Sequence, residues 1–216
     1  MKKRVAVLIS GRGSNMAALI EAAKDPAFPA GIMLVLSNRP AAAGLAIARS
    51  AGITTAVVDH TVQGKDREAF ERQLQEMLEA HGIEFVCLAG FMRLFTPWFV
   101  ARWNERMINI HPALLPAFKG LDTHARALAA GVKIHGASVH FVVPDMDCGP
   151  IIAQGAAAVL DDDTTATLAA RVLAIEHRIY PAALALLAAG HIKIIDGRCR
   201  IEGVTGAAGH LIVPPI

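Results

Sequence analysis

The chain has 216 residues, 54 % of them apolar and 19 % charged, with a formal net charge of +2. That balance supports a large core and excludes an intrinsically disordered chain. So small a charge, with no basic run interleaved with aromatics, also leaves no footprint for nucleic acid.

Strand-like and helix-like segments alternate from the start. Arg4 to Ile9 is a short β-rich run, and Asn15 to Ala23 has helical spacing. Ile32 to Leu36 is a second strand, Ala42 to Ala51 a second helix closed by Gly52, and Thr54 to Val58 a third strand. Asp66 to Ala80 is an amphipathic helix with Phe70, Leu74, Met77 and Leu78 on one face and Gly82 after its end. Phe85 to Ala89 is a fourth strand. This order predicts an α/β fold with a Rossmann-like, open, mostly parallel sheet and helices on both faces. The pattern then changes. Ala137 to Val143 is largely alternating, and Ile151 to Val159 follows Gly149-Pro150, which predicts antiparallel strands in the C-terminal half. Thr164 to Ala189 is a long helical segment that Pro181 bends or divides. Ile192 to Ile195 and Cys199 to Ile201 form a terminal hairpin across Asp196-Gly197, and 205–216 reads as a loose tail. No repeat or low-complexity linker interrupts the chain, so a single domain is expected over 1–216. Its mostly parallel part, about 1–110, and the remainder, about 111–204, make two halves, followed by the tail.

Cys87, Cys148 and Cys199 lie far apart without a CxxC pair, which reads as reduced thiols. Val5 to Ile9 is too short for the apolar region of a signal peptide. The longest apolar stretch, Tyr180 to Gly190, is far below the roughly 20 residues that span a bilayer. A cytoplasmic protein with no membrane partner is expected, as a monomer or homodimer.

Four places carry candidate chemistry. Ser10-Gly11-Arg12-Gly13-Ser14-Asn15 joins the first strand to the first helix. It is either a phosphate cradle at a helix N-terminus or a tight turn with Ser14 as the helix cap. Met16 stands where a dinucleotide fingerprint has its third glycine, and no Gly-Lys-Ser/Thr follows. Asn109 and His111 flank Ile110 in a short strand that Pro112 ends, so both side chains can face one way. They suit acyl transfer to an amine, Asn109 as donor to an oxyanion and His111 as donor or proton carrier; a capping Asn and a structural His are the plain alternative. Asp147, in a turn-rich loop, can fix and charge His111 or be merely solvated. Arg93, after the fourth strand, is placed to touch a ligand. His111, His124, His135 and His140 lack metal-ligand spacing, so no metal is expected.

Together these residues resemble the folate-dependent formyltransferases, and among them the glycinamide ribonucleotide formyltransferase family. The resemblance runs from about Arg4 to Val204 and rests on six motifs. They are Leu8 to Asn15, Leu88 to Arg93, Asn109 to Pro116, Gly136 to Phe141, Asp147 to Pro150 and Glu176 to Pro181. It implies that Asn109, His111 and Asp147 are catalytic. It implies that Gly11, Arg12, Gly13, Ser14 and Asn15 hold the ribonucleotide phosphate and Glu176 the ribose. It implies a folate pocket from Arg67, Leu88, Met92, Arg93, Leu94, Asn109, Val142 and Asp147, with His140 and Ser138 supporting the reacting groups, and it makes about 1–110 the phosphate-binding half and about 111–204 the folate-binding and catalytic half. The expected reaction moves a formyl group from 10-formyltetrahydrofolate, as cosubstrate, to the amine of 5-phosphoribosylglycinamide in purine biosynthesis. Alternatives are a related formyltransferase, a 10-formyltetrahydrofolate deformylase, or a non-catalytic sensor of phosphorylated metabolites. The loop favours a phosphorylated small acceptor.

Overall fold

The computed structural model describes residues 1–62 and 66–203. Five parallel strands, β1 (Lys3–Ile9), β2 (Ala30–Ser37), β3 (Thr54–Val57), β4 (Phe85–Leu88) and β5 (Met107–His111), lead the sheet. β6 (Ile134–Phe141) runs antiparallel to β5, and β7 (Ile151–Ala158) antiparallel to β6. The order is β3-β2-β1-β4-β5-β6-β7. The predicted mostly parallel sheet with a late antiparallel portion is what the chain forms. The terminal hairpin is also present, as β8 (Ile192–Ile195) and β9 (Arg198–Ile201). The predicted tail, 205–216, lies outside the described residues.

Both faces of the sheet are covered. Val5, Val7 and Ile9 pack with α1 (Ser14–Ala23), α2 (Gly44–Ser50) and α6 (Thr165–Ala188). Ala6 and Leu8, pointing the other way, pack with α3 (Arg67–Ala80) and α4 (Pro97–Arg102). Covering both faces turns β1 into a continuous apolar run rather than an alternation. Leu74 and Leu78 of α3 are fully buried, and truncating either costs about 2–5 kcal/mol by loss of transfer energy and cavity formation. The amphipathic spacing read for this helix is therefore its packing face. Two short helices, α4 and α5 (Thr123–Ala129), escaped the sequence reading.

Pro181 does not divide the last helix, which is continuous from Thr165 to Ala188. Tyr180, Ala183 and Leu184 are fully buried around it. Packing on both sides of the proline outweighs the one backbone bond it removes, worth about 3 kcal/mol with the ring clash. Tyr180 also donates its hydroxyl to the Leu88 carbonyl at 3.0 Å. The helix is thus fastened to the end of β4.

β6 departs from one-sided alternation, because its polar residues are buried as well. His135 is 0 % exposed, and neither ring nitrogen has a hydrogen-bond partner. Burial, followed by the nearby His124, pushes its pKa from 6.5 down to about 4. Between those values the unfolded chain binds the proton and the folded chain does not, so this contribution is lost as pH falls from 6.5 towards 4. At full strength the loss is on the order of 3 kcal/mol. Urea unfolding followed at pH 7, 5.5 and 4.5 is expected to show a steeper acid loss in the parent than in His135→Gln. Equal slopes would remove His135 as the cause.

Candidate active site

The strand order places the site. β1 leads to β2 on one side, while β4 returns to the other side of β1. Such a reversal opens a crevice beyond the strand ends. The loop after β1 and the segment after β4 meet there: the Met92 N–H donates to Ser10 Oγ at 2.8 Å, and Ser10 Oγ donates to Asn38 Oδ1 at 2.6 Å. From the sequence Ser10 was only the start of the candidate loop, and Asn38 was not singled out. The signal was polar residues ending two otherwise apolar strands.

In the loop after β1, Gly13 is the N-cap of α1 at φ 77°, and no side chain caps the helix. Ser14 is the first helical residue, so the alternative in which it caps the helix does not hold. Gly13 is required twice over. Its φ is left-handed, and a Cβ would stand 2.8 Å from the Gly44 Cα. The first-turn N–H groups are thereby left for an anion. Gly11 and Arg12 are exposed, and Ser14 and Asn15 half-buried. Asn15 Nδ2 donates to Glu176 Oε2 at 2.5 Å, which joins α1 to α6. Glu176 is 7 % exposed, and burial raises its pKa above the usual carboxylate value. The buried Asn15 Oδ1 has no protein donor.

The second group stands on β5 and β6. Their register sets Asn109 opposite His140 and His111 opposite Ser138, so all four side chains share a face. His140 Nδ1 lies 2.8 Å from its neighbour's carbonyl, Phe141 O. Burial lowers the pKa of His140, so the ring is neutral with its proton on Nδ1. Its Nε2 then accepts from Asn109 Nδ2 at 3.2 Å. That bond fixes the amide and leaves the second N–H of Asn109 to point elsewhere. Ser138 acts one step back. Its hydroxyl donates to the Ala113 carbonyl and accepts from the Leu115 N–H, pinning the chain that follows His111.

Asp147 arrives from the loop between β6 and β7, with φ 53°. Its Oδ2 accepts the Gly120 N–H at 2.8 Å and stands 3.5 Å from His111 Nδ1. His111 Nε2 lies 3.0 Å from the Phe118 carbonyl. Both ring nitrogens of His111 thus face acceptors, and the imidazolium is the form in which both contacts attract. The structure therefore brings Asn109, His111, His140 and Asp147 into one cluster. Gly149 makes this return possible: a Cβ there would lie 1.8 Å from the Phe141 carbonyl oxygen. Gly149→Ala is expected to displace the Asp147 loop and lower turnover at least tenfold, given the sensitivity of catalysis to small misplacements. Parent-like kinetics in that variant would contradict this dependence. Cys148, beside Asp147, is exposed and receives a hydrogen bond from Lys119 Nζ at 2.8 Å.

Of the residues expected to hold a folate, Arg67, Met92, Arg93 and Leu94 line a cavity of about 310 Å³. Arg67 donates to the Leu94 carbonyl at 2.5 Å, and the Arg93 guanidinium lies 4.9 Å from the Phe70 ring centre. Met92 and Leu94 are each 59 % exposed, apolar surface flanked by two cations. Leu88 and Val142 do not line this cavity; Leu88 is buried in the α3–α4 core. A larger cavity of about 410 Å³ between β7 and α6 contains none of the expected site residues. Among the described residues, no cluster of three His, Cys, Asp or Glu side chains is arranged to hold a metal ion. No helix among them is long and apolar enough to cross a membrane.

Residues 3–184 match the family described as formyl transferase. The phosphoribosylglycinamide formyltransferase of Escherichia coli strain K12 is 41 % identical over 202 residues, 92 % of this chain and 93 % of that protein. The trifunctional purine biosynthetic protein adenosine-3 of Bos taurus is 49 % identical over 193 residues, 89 % of this chain. This chain spans only 19 % of that longer protein. Among solved structures, glycinamide ribonucleotide transformylase 1 from Symbiobacterium toebii superposes with a TM-score of 0.90 at 44 % identity, covering 93 % of this chain and 94 % of that one.

Proposed function

The chain belongs to the formyl transferase family, and from that premise we propose that it transfers the formyl group of 10-formyltetrahydrofolate to the primary amine of 5-phosphoribosylglycinamide, giving the N-formyl product and tetrahydrofolate. The observation that carries this reading is the convergence of Asn109, His111 and Asp147 in one cluster, Asp147 Oδ2 lying 3.5 Å from His111 Nδ1. The reaction belongs to purine biosynthesis, the role that the bovine relative's name gives to that protein.

The amine attacks the formyl carbon as the free base and generates a tetrahedral oxyanion. Asn109, its amide fixed by His140, donates its remaining N–H to that oxygen. His111 adds positive charge nearby. As seated it presents charge rather than a free N–H, since Nε2 is spent on Phe118. A direct bond to the oxyanion requires the ring to leave that carbonyl. Asp147 orients the imidazolium and accepts the proton that the attacking amine must lose. That proton reaches N10 of the folate, which departs with the C–N bonding pair. No covalent enzyme intermediate is needed.

The acceptor phosphate is held by the loop from Gly11 to Asn15 and its ribose by Glu176. The folate lies across Arg67 and the Met92–Leu94 segment. The two halves of the chain share both substrates, because Arg67 and Met92 precede residue 110 and Glu176 follows it. Binding energy at the phosphate, remote from the chemistry, aligns amine and formyl carbon. Tetrahydrofolate formation followed spectroscopically is expected to require the acceptor and to slow strongly when its phosphate is removed. Release without an acceptor would support a deformylase instead. Binding of the phosphorylated acceptor without any release would support a sensor.

A further inference from the structure

The backbone from 118 to 121 lies in no helix or strand, yet it touches both His111 and Asp147. The Phe118 carbonyl lies 3.0 Å from His111 Nε2, and the Gly120 N–H donates to Asp147 Oδ2 at 2.8 Å. Between them, Lys119 Nζ donates to Cys148 Sγ at 2.8 Å. Resting on the proposed reaction, we infer that Arg126 is a positioning residue for it: Arg126 sets the 118–121 backbone, and that backbone seats His111 and Asp147.

The loop does little to hold itself. Among the described residues, 118–121 make no backbone-to-backbone hydrogen bond. Phe118 and Gly120 have φ 52° and 82°, and a left-handed Phe must be held by its surroundings. Those surroundings come from α5. Arg126 Nη1 donates to the Lys119 carbonyl at 2.6 Å and to the Leu121 carbonyl at 3.3 Å. The same guanidinium stands 5.7 Å from the Phe118 ring centre, and the His135 ring lies nearly perpendicular to that ring with centres 5.8 Å apart. α5 is itself fixed, because Ala127 is fully buried and Thr123 Oγ1 donates to the Pro112 carbonyl at 2.7 Å.

The Lys119 carbonyl and the Gly120 N–H belong to one peptide group. That group is planar, so its oxygen and its N–H point opposite ways. One end faces the Arg126 cation and the other the Asp147 carboxylate. The guanidinium thus fixes the plane and polarises the N–H that Asp147 accepts. The Leu121 bond holds the chain on the far side of Gly120. Without Arg126 the peptide is free to rotate, and Asp147 loses the donor that aims it at His111. Arg126 is exposed, so its removal opens no core cavity.

The test compares the full-length parent with Arg126→Met and Arg126→Lys. Met keeps an apolar stem beside Phe118 and removes the donors; Lys restores a donor for one carbonyl. Steady-state kinetics with both substrates is combined with hydrogen–deuterium exchange of the Gly120 amide, followed by NMR. R126M is expected to lose about tenfold in kcat, with both KM values within about twofold of the parent. Its Gly120 amide should exchange about tenfold faster, while the sheet amides and the unfolding midpoint stay at parent values. R126K should recover part of both losses. Parent-like kcat in R126M, or an unchanged Gly120 exchange rate, would overturn the inference. A loss confined to KM would overturn it too, as would R126K as impaired as R126M, or faster exchange throughout the sheet. Absence of turnover in the parent would instead overturn the proposed reaction, and the exchange measurement, which needs no substrate, would still decide whether Arg126 holds the loop.

Discussion

Asn109→Ala is expected to lower kcat on the order of 100- to 1,000-fold while leaving the binding of both substrates nearly unchanged. The amide is half-buried on β5, a strand paired on both sides, so truncation leaves the backbone ladder intact. On the proposed mechanism, what is lost is one N–H aimed at charge that exists only in the transition state, which is why kcat carries the effect. His140 also loses its donor at Nε2, a secondary cost at a buried ring. Stopped-flow binding and steady-state kinetics on one preparation separate the two quantities. Near-normal turnover would remove Asn109 from the mechanism.

Asp147→Asn is expected to cost on the order of 100-fold or more in kcat and to change the pH dependence of turnover. The substitution is nearly isosteric, and an Asn oxygen can still accept the Gly120 N–H that holds the loop. The variant therefore retains its fold and loses the anion facing His111. Without that anion His111 Nδ1 loses the charged partner that orients the ring, and on the proposed mechanism the attacking amine loses its proton acceptor. An unchanged pH–rate profile would show that His111 works independently of Asp147.

β1, β2 and β4 were readable because each is a short apolar run bounded by turn residues. α3 was readable because Phe70, Leu74 and Leu78 recur at helical spacing. α4 left a weaker signal: it has only six residues, though Thr96 before Pro97 marks a helix start. α5 left almost none, since Asp122 before it is left-handed and makes no capping bond. At the site, Asn109 and His111 could be placed on one face by alternation alone. Their meeting with His140 could not, because strand register is a long-range property that no local pattern encodes. The return of Asp147 depends on Gly149 passing the end of β6, again a tertiary contact. The lock of Ser10 and Asn38 on Met92 joins three segments far apart in sequence and was equally hidden.

The most direct test of the central claim is a single-turnover experiment with a donor carrying ¹³C in its formyl group. Label and both products are followed by mass, with and without 5-phosphoribosylglycinamide. The predicted result is stoichiometric ¹³C in the N-formyl ribonucleotide, tetrahydrofolate appearing at the same rate, and no label release when the acceptor is omitted. Label recovered as free formate, at a rate indifferent to the acceptor, would contradict the account.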